Sequence, residues 1–232
     1  MSSKPPSSGM LTAGAVGAFM LTAAYAIILI SFFGALALAD SGNAFDMGRL
    51  FGGFALLAIL AYLGGLPCLA IGFFGMRRIT KSLYGLAGLL TWIHFAVIIL
   101  AFTVLPMMAP ELLEIRNSSS PEIIAWVTFV FVIVLFGSYG ISLLKGNAGS
   151  RLAKVGGICF LVATGIMVVL WVLSLMGANG VFNLTGNVDA QTAGTLGIWI
   201  VIVFFGTLTL GHFAAGLAML RARPTADAAA AF

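Results

Sequence analysis

Apart from tyrosines, cysteines and charges at the helix ends, the ionisable side chains inside the apolar stretches of this 232-residue sequence are two histidines, His94 and His212. His94 lies thirteen residues beyond Lys81, and His212 lies nine before Arg221. If both stretches are helices, a rise of about 1.5 Å per residue puts the imidazoles at similar depth, roughly 13–20 Å from one membrane face. One neutral imidazole from each of two helices, at one level, is what a bis-histidine b-type haem requires. Gly85, Gly88, Gly206, Gly211 and Gly216 on the same stretches would let a flat porphyrin approach the backbone. The competing account is plainer. Each histidine is neutral, packs in a helix bundle and makes one hydrogen bond to a neighbouring helix. Two histidines on six helices reach a common depth by chance, so the plainer account is preferred. A haem held by His94 and His212 stays as the alternative, and no other cofactor is expected.

The remaining candidates are weaker. Cys68 and Cys159 fall in the same half of the chain's apolar stretches as the histidines, but zinc sites show tight ligand pairs and these four residues are scattered. Buried cysteines in apolar surroundings are ordinary, and no metal site is expected. Gly64-Gly65-Leu66-Pro67-Cys68 interrupts one stretch, and Pro67 both removes a donor and presses on the preceding turn. Such breaks can expose carbonyls to a ligand, although a kink filled by a neighbouring helix is the simpler expectation. No GxSxG, HExxH or phosphate loop occurs, and no acidic pair lies in an apolar stretch. No catalytic set can be assembled.

These residues must be positioned by membrane helices. The chain is 61% hydrophobic and 8% charged, with a mean hydropathy of +1.15. Soluble domains carry about a quarter charged residues, so the composition excludes a soluble enzyme, a disordered chain and a disulfide scaffold. Six apolar runs, about 10–39, 50–76, 83–108, 123–144, 152–177 and 194–220, each reach the length needed to cross a bilayer. They are too continuous for the alternating strands of a membrane barrel. The predicted fold is an all-α bundle of six transmembrane helices, with tails at 1–9 and 223–232 that are short of complexity and frayed. The first run is too long for a secretory leader, although Ala37-Leu38-Ala39 resembles a cleavage site.

Charge gives the orientation. Nine of the eleven basic residues flank the tails and the 77–81 and 145–154 connections, leaving Arg49 and Arg116 opposite. Asp40, Asp46, Glu111, Glu114, Glu122 and Asp189 join those two. The positive-inside rule then puts both termini in the cytoplasm, for a chain in a cell (inner) membrane. All seven acids and eleven bases lie in loops, tails or helix ends, so carboxylate-coupled ion transport is disfavoured. The net charge of +4 comes from helix-flanking residues rather than a basic patch, so no nucleic acid partner is expected. Asn117 and Asn183 head glycosylation-type triplets on the outer side, a pattern that chance also produces.

Small residues recur four apart, as in Ala13 and Gly17, Gly48 and Gly52, Ala61 and Gly65, Ala153 and Gly157, and Gly211 and Ala215. Such pairs let helices approach closely, within a chain or between chains. Gly72, Gly140 and Gly216 each precede a basic residue by five, which permits a threefold hairpin repeat, with coincidence the simpler account. The four tryptophans are not all at span ends, so some should face lipid or a partner. The expected function is a non-catalytic subunit or scaffold of a larger membrane assembly, partnered by lipid and by other subunits or its own copies. The alternatives are the haem protein above, and a small-solute binding or permeation protein using the outer loops, the broken second helix, Asn183 and Trp199.

Overall fold

The computed structural model describes residues 8–39, 44–80, 83–100, 120–146, 150–178 and 190–230. They form six helices: α1 (Ser8–Ala39), α2 (Ala44–Ile79), α3 (Tyr84–Ile99), α4 (Ser120–Gly146), α5 (Arg151–Ala178) and α6 (Ala190–Ala230). Five contain apolar segments of 21 to 30 residues, enough to cross a bilayer, and α3 is described over 16. The protein is an all-α, multi-pass membrane bundle. The far end of the predicted third span, 101–108, lies outside the described residues, as do the loop residues Asn117 and Asn183.

Two helices run well past their predicted spans. α2 starts at Ala44 rather than near Leu50, because a helix continues into the polar region and carries Asp46 and Arg49 there. α6 continues to Ala230, beyond the expected end at Leu220, so the predicted frayed tail is largely helical. The alanines at its end are the strongest helix formers.

Each helix packs against its neighbours in sequence, and α6 closes on α1, so the six form a ring. Closure is not uniform along the ring axis. The buried residues cluster toward the end that carries Arg77, Arg78, Lys145, Arg151 and Lys154, here called the basic end. On α1 they run from Leu11 to Tyr25, on α3 from Tyr84 to Thr91, and on α5 from Ala153 to Ala163. On the oppositely running helices they begin at Leu135 in α4 and Leu208 in α6.

The glycines explain why. A Cβ built on Gly14 would run into the Gly72 Cα, and one on Gly17 would lie 2.6 Å from the Gly65 carbonyl oxygen. Gly140 and Gly157 oppose each other across α4 and α5, and Gly216 lies under the Phe19 ring. Toward the other end, Gly52, Gly53, Gly165, Gly194, Gly197 and Gly206 meet nothing within 4 Å among the described residues. In lipid no hydrophobic force pulls helices together, so van der Waals fit decides where they touch. The ring is tight where glycines face backbones and loose elsewhere. Gly72 and Gly216 both face α1 whereas Gly140 faces α5, so their shared spacing does not reflect a shared packing role.

Pro67 sits within a continuous α2. Its missing N–H leaves the Leu63 carbonyl without a helical donor. Gly17 of α1 packs directly against this turn, at Gly65, Cys68 and Leu69, as the filled-kink expectation requires.

Substitution should expose the asymmetry. Gly72→Ala is expected to cost about 1–3 kcal/mol by forcing two backbones apart. Gly53→Ala, in open space, should leave stability unchanged or raise it by up to about 1 kcal/mol through helix propensity. Thermal unfolding of the two variants in mild detergent measures the difference.

Candidate functional site

The ring axis is filled by aromatic side chains from all six helices. Phe73 of α2 packs on Tyr84 of α3 and Tyr139 of α4, with ring centroids 6.0 and 4.8 Å apart. Tyr139 meets Phe160 of α5 at 5.2 Å, and Phe160 meets His212 of α6 edge-on at 4.8 Å. From His212 the column continues through Tyr25 of α1 at 5.2 Å, then Tyr62 of α2 at 5.8 Å. It ends where Tyr62 meets His94 at 6.0 Å and His94 stacks on Phe131 at 5.7 Å. Offset and edge-on pairs of this kind suit the ring quadrupoles.

Several polar atoms in this column are paired with one another. The Tyr62 hydroxyl lies 2.7 Å from His94 Nε2, and the Tyr25 ring meets that of Tyr62 edge-on. The Thr91 hydroxyl is 2.6 Å from that of Tyr139 and also donates to the Ala87 carbonyl. His212 Nδ1 lies 2.8 Å from the Leu208 carbonyl oxygen, one turn back on its own helix. A carbonyl only accepts, so Nδ1 carries the proton and the neutral ring has a bare Nε2. Threonines elsewhere bond back to their own helix, as Thr22 does to Ala18 and Thr164 to Phe160. Among the described residues, three buried polar atoms have no partner: the Tyr84 hydroxyl, the Ser142 hydroxyl and Trp171 Nε1.

The two predicted site histidines therefore belong to one aromatic column; His94 has a partner on a neighbouring helix, Tyr62 of α2, whereas His212 bonds back to its own helix. They do not face each other directly, because the contact path between them runs through the rings of Tyr62 and Tyr25. Ligating one iron with both would require breaking the Tyr62–His94 bond and moving both phenols aside. Four of the five glycines on which a porphyrin was to rest are covered as well. Arg77 lies over Gly85, Phe74 over Gly88, Phe160 over Gly211 and Phe19 over Gly216. As placed, these residues do not fit a bis-histidine haem.

Cys68 and Cys159 are free thiols, and no group of three or more His, Cys, Asp or Glu comes together among the described residues. Trp199 is 60% exposed and lines a shallow groove of about 360 Å³ with Thr192, Thr195 and Leu196. Trp92 is also exposed, whereas Trp126 and Trp171 pair edge-on between α4 and α5. Tyr25, Tyr62, Tyr139 and Thr91 had drawn no attention in the sequence. The available signal was position: Tyr25, Tyr62 and Tyr139 fall well inside apolar runs, where a phenol must find a partner.

Tyr62→Phe removes one interhelical hydrogen bond and should cost about 0.6–1.7 kcal/mol in thermal unfolding. A dithionite-reduced minus oxidised spectrum of protein from haem-replete cells should be flat. A b-type α-band lost in both His94→Ala and His212→Ala would contradict the packed reading. No family model, curated protein or solved structure matches this chain, so its geometry alone carries the functional reading.

Proposed function

We propose that the chain is a non-catalytic subunit or scaffold of a larger membrane assembly, set in a cell (inner) membrane with both termini in the cytoplasm. The division among the glycines carries this reading. At the basic end small residues are consumed by contacts within the chain, whereas Gly52, Gly53, Gly194 and Gly197 meet no neighbour among the described residues. Of the small pairs, Gly17, Gly65, Gly157 and Gly211 are buried against neighbouring helices of the same chain, and Gly52 is left over. Around it α2 exposes Phe54, Leu56, Leu57 and Leu60.

Flat glycine faces beside large apolar side chains suit close approach by another membrane helix. The distribution of Lys and Arg supports the orientation through the positive-inside rule. The filled axis agrees with a structural role, since aromatic rings occupy the line along which a solute would pass.

Gently solubilised native membranes should yield the 24.1 kDa chain in a species larger than one copy plus its detergent. Gly52→Leu combined with Gly53→Leu should leave thermal unfolding unchanged and shrink that species. A solitary monomer from native membranes overturns the proposal.

A further inference from the structure

We draw no further inference here: the strongest candidate, the apolar crevice between α1 and α2 lined by Tyr25, Ala55, Ala58 and Tyr62, carries none because nothing in the structure shows what occupies it.

Discussion

Helices in a bilayer gain nothing by hiding apolar surface from lipid that is equally apolar, so they associate only where their shapes fit closely. In this protein the closest fit is backbone on backbone, with Gly14 of α1 against Gly72 of α2 and the Met219 sulfur of α6 beside both. That contact joins the first, second and last helices and closes the ring. A methyl group on either glycine would hold the backbones apart. Gly17 against the Pro67 turn, and Gly140 against Gly157, repeat the device around the same end.

The aromatic column follows from this closure. Once the backbones are drawn together at the basic end, the space left on the axis is filled by Phe73, Tyr84, Tyr139 and Phe160, all essentially inaccessible. In a medium without water Tyr62 pairs with His94 and Tyr139 with Thr91, His212 bonds back to its own helix, and the Tyr84 hydroxyl has no partner among the described residues. The Tyr62–His94 pair stands where the ring begins to open. There the Tyr25 and Tyr62 phenols are held by the packed end while the crevice beyond them reaches lipid. Position along the axis thus separates a closely packed half from a loosely packed one.

The spans were legible because hydropathy alone reports a helix that must hide its backbone in lipid. Their ends were less so at α2 and α6, because a helix does not stop at the membrane face when Asp46, Arg49 or a run of alanines can continue it in water. Counting residues suggested a common depth for His94 and His212, but it could not show the rings of Tyr62 and Tyr25 that lie between them. That depends on α6 returning to α1, and hydropathy carries no information on helix order. The small-residue pairs could be found but not assigned. Gly17 and Gly52 look alike in sequence, and only the ring geometry shows one pressed against α2 and the other open.

The claim on which the rest stands is the register of α1 against α2 at their glycines, and cysteine cross-linking tests it most directly. Met10 and Gly75 lie about one turn from the Gly14–Gly72 contact, and the Met10 Cβ is 3.1 Å from the place a Cβ on Gly75 would take. Disulfides need Cβ separations of about 3.5–4.5 Å, so a small adjustment would allow the bond. In a chain with Cys68→Ala and Cys159→Ala, Met10→Cys paired with Gly75→Cys should oxidise rapidly and nearly completely within the monomer. A pair that stays reduced, or that cross-links only between chains, would contradict the closure from which the column, the crevice and the open outer half all follow.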